Sequence, residues 1–321
     1  MRDQYGRTID YLRISITDRC NLRCTYCTPK EGIPCISHDE ILRYEEIEQI
    51  CRIMAEKGLK HVKITGGEPL VRKDVAGLIR RLKEISGIET VTLTTNGILL
   101  ESMIHELVDA GMDGVNISLD TMDAEEFGRI TRGGEIRRVM AGIRAAASYS
   151  EITVKINCVL DGAHWKENAV SIAALAKTDR IHVRFIEHMP IGLQPEKRAK
   201  LQDRVKDVLE DAYGKAEACE GPMGYGPGVY YQLEGFLGSI GFISAVSHKF
   251  CSGCNRVRLT ADGRLRMCLQ SEESVDLKAI LRGDHSEQIG RIIEQAVYRK
   301  PLEHHFEVQG IEATGMSQIG G

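Results

Sequence analysis

The sequence predicts an α/β fold, an incomplete (β/α)6 TIM-type barrel with a small C-terminal α+β extension. Short apolar strands alternate with amphipathic helices through the first two thirds of the chain, a pattern typical of parallel strands joined by right-handed crossovers. The chain has 321 residues, 42% of them hydrophobic, which suffices for a barrel and a smaller region beside it. Because only six strand–helix units fit, we expect one side of the barrel to stay open, with room for a large substrate.

Each of the six strands is predicted from a short run of apolar and β-branched residues. Helical patterns separate them, for example over residues 44–57 and 75–85. The predicted strands are residues 12–16, 61–65, 90–94, 114–118, 153–159 and 182–186.

Every second residue of these strands is polar, whereas strands buried on both faces of a parallel sheet are usually continuously apolar. If the polar residues face inward, the barrel has a polar, positively charged lumen. Solvent-facing residues at strand ends would explain one or two such positions, but not six strands in a row. The alternating residues are Arg13, Ser15, Lys63, Thr65, Thr92, Thr94, Asn116, Ser118, Lys155, Asn157, His182 and Arg184.

The glycine- and proline-rich segment 221–228 is the clearest linker, so we expect domains at residues 1–220 and 221–321. Beyond it, short strands around Tyr230, Gly241 and Val257 and a turn at 261–263 predict a small antiparallel element over the open side of the barrel. A helical pattern returns at residues 286–300.

Composition excludes two classes of protein. A net charge of −4 and a pI near 6.2 argue against a nucleic-acid-binding surface. The sequence contains no apolar run of the length that a membrane span needs, and it opens without an apolar signal segment. We therefore expect a cytoplasmic protein that binds neither nucleic acid nor membrane.

Six of the ten cysteines form two groups of three, each one short of a closed four-ligand site. An iron-sulfur cube held by three cysteines keeps one iron open to another ligand. The first group follows the first strand directly, at the end of the barrel where such enzymes place their chemistry. The first cysteine group is Cys20, Cys24 and Cys27, and the second cysteine group is Cys251, Cys254 and Cys268.

Other interpretations of the cysteines stay open on spacing alone. His248 lies three residues before Cys251, so the second group could form a structural zinc site. Disulfides are not expected in a cytoplasmic chain. The remaining four cysteines follow no spacing pattern and are interpreted as buried or incidental thiols: Cys35, Cys51, Cys158 and Cys219.

The second strand ends in Gly66-Gly67-Glu68-Pro69. Two glycines let the backbone approach a ligand closely, and proline suits the first turn of a following helix. By itself, this segment could equally be an ordinary turn between a strand and a helix.

The first cysteine group, with Tyr26 before its last cysteine, resembles the signature of the radical S-adenosylmethionine enzymes, and residues 66–69 resemble the segment that holds the methionine end of that cofactor. Further matches are LRISITDRCNLRC near the start, RFIEHMP at 184–190, FCSGCNRVRLTADGRLRMC at 250–268 and the terminal MSQIGG. With them, nearly the whole chain resembles the GTP 3',8-cyclase family of molybdenum cofactor biosynthesis.

The resemblance implies a lyase with two [4Fe-4S] clusters and S-adenosyl-L-methionine as cofactors. The first cysteine group would bind the cluster that chelates S-adenosylmethionine, and reductive cleavage would yield a 5'-deoxyadenosyl radical. This radical would abstract the C3' hydrogen of GTP, and the sugar radical would attack C8 of guanine. The second cysteine group would bind the second cluster, which meets the guanine base.

The resemblance also implies roles for single residues. Arg256 and the terminal Gly320 and Gly321 are candidate catalytic residues, with the tail from Met316 reaching into the active site. The residues expected to contact S-adenosylmethionine are Tyr26, Gly67, Ser118 and Met189. Those expected to bind GTP are Arg13, Lys63, Thr94, Lys155, Arg256 and Arg258, all but one cationic, as suits a triphosphate.

As partners, the resemblance implies the substrate GTP, a reductant that supplies electrons to the clusters, and cyclic pyranopterin monophosphate synthase downstream, and it leaves a homodimer open. Thr28 and His188 depart from residues common in the family. Two alternatives remain: a radical enzyme with an auxiliary cluster that acts on a peptide or another small molecule, and a zinc-stabilised binding module without catalysis.

Overall fold

The computed structural model of the chain describes residues 1–160, 164–190, 201–220, 224–271, 273–283 and 286–306. Six parallel strands alternate with helices through its first two thirds, as the sequence predicts, and each strand pairs with the next in chain order. The strands are β1 (Tyr11–Ser15), β2 (His61–Thr65), β3 (Thr90–Thr95), β4 (Gly114–Ser118), β5 (Thr153–Cys158) and β6 (Ile181–Ile186).

The helices of this part pack their apolar faces on the sheet. The first two begin where predicted and end one and two residues earlier than predicted. Asp74 caps the second helix, since its carboxylate accepts a hydrogen bond from the Gly77 N–H at 3.2 Å. The helices are α1 (Tyr44–Glu56), α2 (Val75–Lys83), α3 (Leu100–Asp109), α4 (Ala124–Thr131), α5 (Ile136–Ala147), α6 (Trp165–Ala173), α7 (Leu175–Thr178) and α8 (Leu201–Tyr213).

Alternation along the strands gives the sheet two chemically different faces. In β1, Leu12 and Ile14 are fully buried in the apolar core, and Arg13 lies between them on the opposite face. The register places Arg13 beside Lys63 of β2, and Lys63 beside Thr92 of β3. The predicted polar residues therefore form rows across neighbouring strands.

The C-terminal strands correct one expectation. We expected a small antiparallel element over the open side, but β9 (Ile240–Ile243) pairs in parallel with β6, and β10 (Arg256–Leu259) pairs in parallel with β1. The two edges of a six-stranded open sheet present unpaired N–H and C=O groups, and these added strands satisfy them. The antiparallel pairing that was expected occurs farther out, on both edges.

The sheet thus has twelve strands in the order β12-β11-β10-β1-β2-β3-β4-β5-β6-β9-β8-β7, and it stays open. The outer strands are β7 (Ala216–Ala218), β8 (Val229–Leu233), β11 (Arg264–Arg266) and β12 (Ser274–Asp276). The predicted turn at 261–263 joins β10 to β11, with Gly263 at φ +87°. The last helices are α9 (Leu277–Arg282) and α10 (Ile289–Tyr298), the second preceded by a 3-10 turn at Ser286–Gln288.

Within these ranges, no helix is both long enough and apolar enough to cross a membrane.

Candidate active site

The barrel lumen concentrates positive charge. Lys63 and Arg184 are 8% and 9% exposed, and the pKa of Lys63 lies well below its ordinary value because of burial and then the charges of Arg184, Arg13, Lys155 and Arg256. Cations lower the pKa of one another in this way only when they lie close together. The structure therefore brings together the cations that sequence alternation assigned to the lumen.

Burial and repulsion act on the other lumen cations too. Burial lowers the pKa of Lys155 to about 8, with Arg184 adding to the effect, and the pKa of Arg13 to about 10. The pKa of Arg258 lies well below its ordinary value, again because of burial and then Arg13 and Arg256. A bound polyanion would relieve this repulsion, because opposite charge favours the protonated forms.

Arg184 is a lumen residue that the family motifs did not assign to the substrate. Its Nη2 donates a hydrogen bond to Asn157 Oδ1, the neighbour in register, while its buried Nε has no hydrogen-bond partner among the described residues. A buried guanidinium N–H without a partner is costly and marks a place where a ligand atom would fit. The alternation of polar residues along β6 was the signal that identified it.

The first cysteine group lies on a tightly tied loop after β1. The N–H groups of Cys27 and Thr28 both donate to Cys24 O at 3.0 Å. Arg132, which follows α4, donates from Nη1 to Thr28 O at 2.7 Å and to Arg23 O at 3.1 Å. Arg132 adopts a left-handed backbone with φ 55°, which is uncommon for a residue with a side chain. The end of α4 therefore holds the loop from outside.

The thiols of the first group are close enough to influence one another. Burial raises the pKa of Cys24 to about 12, and the charge of Cys27 adds to the increase. Burial also raises the pKa of Cys20, and the charges of Glu68 and Cys27 contribute. Cationic iron would reverse these effects, so the donor set fits an iron-sulfur cluster.

The two glycines after β2 have a structural reason for being glycines. A Cβ on Gly66 would lie 2.7 Å from Thr17 O, and one on Gly67 would lie 2.5 Å from Arg19 O. Gly67 N also donates to Thr17 O at 2.7 Å. The close backbone approach that the sequence predicts is thus an approach to the loop that carries the first cysteine group.

Glu68 connects this loop to β3. It is 1% exposed, and its carboxylate accepts hydrogen bonds from Thr95 Oγ1 and Asn96 N, both at 2.7 Å. Burial raises the pKa of Glu68 to about 7, although these hydrogen bonds oppose the shift. Asn96 Nδ2 in turn donates to Asn21 Oδ1 at 2.8 Å. Sequence reasoning quoted Glu68 but gave it no role.

A cavity of about 30 Å³ lies against Cys24 and brings together two of the residues predicted to contact S-adenosylmethionine, Tyr26 and Ser118. Tyr26 donates from its hydroxyl to Asp120 Oδ2 at 2.9 Å. Burial raises the pKa of Asp120 to about 6. Met189 does not line this cavity and packs instead near Phe306.

The second cysteine group lies beside the lumen cations. Cys251 begins a 3-10 turn, and Cys254 N donates to Cys251 O at 3.1 Å. Burial alone would raise the pKa of Cys254, but Lys300, Arg256 and Arg7 lower it below its ordinary value. The charges of Cys268 and Cys254 also act on Arg258. The arrangement favours the thiolate of Cys254, the form that binds iron.

No three His, Cys, Asp or Glu side chains in the described ranges are drawn together tightly enough to hold a single metal ion. His248, the alternative zinc ligand, has its Nδ1 3.2 Å from Ser247 Oγ. Among the other cysteines, Cys51 and Cys158 are buried, as expected, whereas Cys219 is half-buried and Cys35 is exposed.

The predicted catalytic tail, including Gly320 and Gly321, lies outside the described residues. Its approach is described as far as Phe306, which is 2% exposed and packs with Met189, Val246 and Leu269. Leu269 directly follows Cys268. The last described residue therefore lies beside the residue that follows the second cysteine group.

Comparison with known proteins identifies the family. The model of the Radical SAM superfamily matches residues 14–168, and that of Molybdenum Cofactor Synthesis C matches residues 181–306. A GTP 3',8-cyclase of Heliobacterium modesticaldum is 46% identical over 328 residues, covering 100% of both chains. One from Pelotomaculum thermopropionicum is 44% identical over 325 residues, again over 100% of both. The chain belongs to the GTP 3',8-cyclase family.

Solved structures share the fold at low identity. Streptococcus suis SuiB bound to precursor peptide SuiA matches with a TM-score of 0.63 and 17% identity, over 87% of this chain and 66% of that chain. Methylornithine synthase matches with a TM-score of 0.54 and 16% identity, over 90% and 82%. These matches confirm the incomplete barrel. Membership of the radical SAM superfamily implies a [4Fe-4S] cluster and S-adenosylmethionine.

Proposed function

We propose that the chain converts GTP to (8S)-3',8-cyclo-7,8-dihydroguanosine 5'-triphosphate, the first step of molybdenum cofactor biosynthesis. The observation that carries this proposal is the buried set of lumen cations beside the second cysteine group, in a chain whose net charge is −4. A protein with a net negative charge gains electrostatic affinity for a triphosphate only from a local concentration of positive charge such as this one. Full-length similarity to GTP 3',8-cyclases supports the same conclusion.

The cations divide into two sets by position. Arg256 and Arg258 alternate on β10, so both side chains lie on one face, next to the second cysteine group. Lys63, Lys155 and Arg184 lie on β2, β5 and β6, and Arg13 of β1 is the register neighbour of Arg258. We assign the first set to the guanine end of GTP and the second set, with Arg13, to the phosphates. Thr94, which accepts a hydrogen bond from Asn116 Nδ2 at 3.4 Å, completes the predicted substrate contacts.

In this proposal Cys20, Cys24 and Cys27 hold the first [4Fe-4S] cluster. When bound, it supplies the one-electron reduction that cleaves S-adenosylmethionine to the radical that abstracts the C3' hydrogen. The protein orients the reacting groups: Tyr26 and Ser118 line the cavity beside Cys24, and the loop at Gly67 fixes the cysteine loop against β2. Met189, which packs against Phe306 with Leu269, would also contact the cofactor.

The second cluster belongs to the same proposal, with Cys251, Cys254 and Cys268 as its ligands. Cations that favour the thiolate of Cys254 support this assignment. A structural zinc site would need a fourth protein ligand such as His248, whose Nδ1 lies 3.2 Å from Ser247 Oγ.

The tail from Met316 to Gly321 is proposed to reach the lumen beside Arg256. Two glycines have no side chains and can enter a narrow space, and the terminal carboxylate suits a guanidinium.

The reaction needs a reductant that delivers electrons to the clusters, and its product is the substrate of cyclic pyranopterin monophosphate synthase. The division into domains at residues 1–220 and 221–321 stays a prediction. The homodimer also stays a prediction.

Anaerobic incubation tests the function directly. The reconstituted protein is incubated with S-adenosylmethionine, dithionite and GTP deuterated at C3', and the products are separated by mass spectrometry. We expect deuterium in 5'-deoxyadenosine and a cyclised nucleotide, because the hydrogen leaves C3' for the cofactor radical. Deuterium-free 5'-deoxyadenosine without a cyclised nucleotide would favour the peptide or small-molecule alternative. Colourless, iron-free protein after reconstitution would favour the zinc module.

A further inference from the structure

A single lysine bridges the two segments that carry the second cysteine group. Lys300 follows α10 and is 2% exposed. Its Nζ donates to Arg256 O at 2.9 Å and to Met267 O. Arg256 lies two residues after Cys254, and Met267 directly precedes Cys268. The ammonium therefore lies where the two cysteine-bearing segments approach each other.

The strand register shows why a bridge is needed at this point. β10 and β11 pair as an antiparallel ladder through Arg258↔Arg266 and Leu259↔Leu265. Continued by two residues, the ladder would place Arg256 opposite Cys268, but the pairing ends before that position. Lys300 binds where the ladder ends, since it donates to the carbonyl of the first residue of β10 and to that of the residue after β11. The strands can then separate around the cysteines without leaving these two carbonyls unsatisfied.

The charges around Lys300 are unusual for a buried lysine. Burial lowers the pKa of Lys300 below its ordinary value; the charges of Cys254 and Cys268 oppose this shift, and those of Arg7 and Arg256 add to it. Within the described ranges Lys300 forms no ion pair with a carboxylate, whereas Lys57, which also contacts α10, pairs with Glu294 Oε2 at 3.0 Å. A buried ammonium needs a negative partner, and here the anions at hand are cysteine sulfurs.

We propose that Lys300 is the fixed counter-ion of the second cluster and sets its reduction potential, an inference that rests on the proposed [4Fe-4S] cluster at this site. Lys300 is a positioning residue rather than a ligand: it holds the carbonyls of Arg256 and Met267, and its ammonium lies between the segments that carry Cys254 and Cys268. A nearby fixed positive charge stabilises the reduced, more negative cluster, so it raises the potential. In the first group, burial and then the charges of neighbouring thiols and carboxylates raise the pKa values of Cys20 and Cys24.

The test separates the charge of Lys300 from its hydrogen bonds. The second cluster is isolated in a full-length background in which Cys20, Cys24 and Cys27 are replaced by alanine. In this background, Lys300→Met removes charge and donor, Lys300→Gln removes the charge but keeps an N–H donor, and Lys300→Arg keeps the charge. Lys57→Met is the matched control because it removes an ammonium that contacts α10 through Glu294. The midpoint potential is measured by dithionite titration, with the electron paramagnetic resonance signal as readout.

We expect Lys300→Gln and Lys300→Met to make reduction about tenfold less favourable, about 59 mV lower for a one-electron couple. Lys300→Arg and Lys57→Met should stay near the parent value. If Lys300→Met fails to fold, as circular dichroism would show, Lys300→Gln alone decides. An unchanged potential in Lys300→Gln overturns the counter-ion role and leaves Lys300 only its hydrogen bonds. A triple-alanine background that binds no iron overturns the second cluster itself, and the role of Lys300 with it.

Discussion

The two cysteine groups lie in opposite electrostatic surroundings. In the first group, burial and the neighbouring thiol charges raise the pKa of Cys24 to about 12, and Asp120 adds to the effect. In the second group, Lys300, Arg256 and Arg7 bring the pKa of Cys254 below its ordinary value despite burial. Three cysteines at a barrel mouth and three beside a cationic lumen are therefore not equivalent sites.

The difference also appears in how each group is held. The first loop is fixed mainly by carbonyl contacts from outside, through Arg132 and the end of α4, and by the backbone beside Gly66 and Gly67. The second group is fixed by buried cations: Arg7 donates to Cys251 O at 2.7 Å, and Lys300 bridges the strands. Arg132 is also a cation but is exposed, so solvent screens its charge, whereas the buried charges of Arg7 and Lys300 act on the thiol of Cys254. The second site is thus tied to the substrate lumen electrostatically, and the first is less so.

Reciprocal removal of the cysteines gives the largest expected effect. Replacing Cys251, Cys254 and Cys268 by alanine should remove about half of the iron, since two similar clusters are proposed, and should abolish cyclisation while S-adenosylmethionine cleavage continues. Replacing the first group should abolish cleavage altogether. Iron content and 5'-deoxyadenosine are the measurements, and full iron retention in the first variant would contradict two separate sites.

Removal of the terminal glycines tests whether the tail works with the second group. Deleting Gly320 and Gly321 should abolish cyclisation but leave iron content and S-adenosylmethionine cleavage at their full-length values, because no cluster ligand is lost. Cyclisation at the full-length rate after the deletion would show a dispensable tail, as many chain ends are.

A lumen cation away from both cysteine groups should affect GTP alone. Lys63→Met removes a buried ammonium, and a lost charge-assisted hydrogen bond costs roughly 1.5 to 3 kcal/mol, about 10- to 150-fold in affinity. Lys60→Met is the control, since Lys60 is exposed beside the same strand and pairs with Glu89 at 2.6 Å. The apparent KM for GTP and the iron content are measured. Equal KM values in the two variants would remove Lys63 from the substrate site.

Much of this arrangement follows from the sequence. Strand alternation predicted the polar lumen, and the register confirms that Arg13, Lys63 and Thr92 form one row. Alternation works here because a strand turns successive side chains to opposite faces, whatever the rest of the fold does. The six strands and the first helices were predicted within about two residues for the same reason.

Long-range contacts could not be predicted from the sequence. Lys300 lies 46 residues after Cys254 in the chain, and Arg7 lies 244 residues before Cys251, so no local pattern connects them. The parallel addition of β9 and β10 to the two sheet edges was missed because their short, mixed sequences show no pairing direction. Arg184 was recognised as a lumen residue but not as a substrate contact, since only the structure shows its buried Nε.

The smallest predicted effect compares one thiol from each group in metal-free protein. Cys24 and Cys254 are both half-buried, so access is similar, and their thiolate fractions should decide the rate of alkylation. The pKa of Cys254 lies below its ordinary value of 9.0, whereas that of Cys24 is about 12. At about pH 8 we expect iodoacetamide to label Cys254 at least roughly tenfold faster, because its much larger thiolate fraction outweighs the lower nucleophilicity of a more acidic thiolate. As the pH rises, labelling of Cys254 should level off first, while that of Cys24 keeps increasing. Peptide mapping by mass spectrometry measures both rates in one sample. Equal rates at every pH would mean that Cys24 and Cys254 do not differ in thiolate fraction.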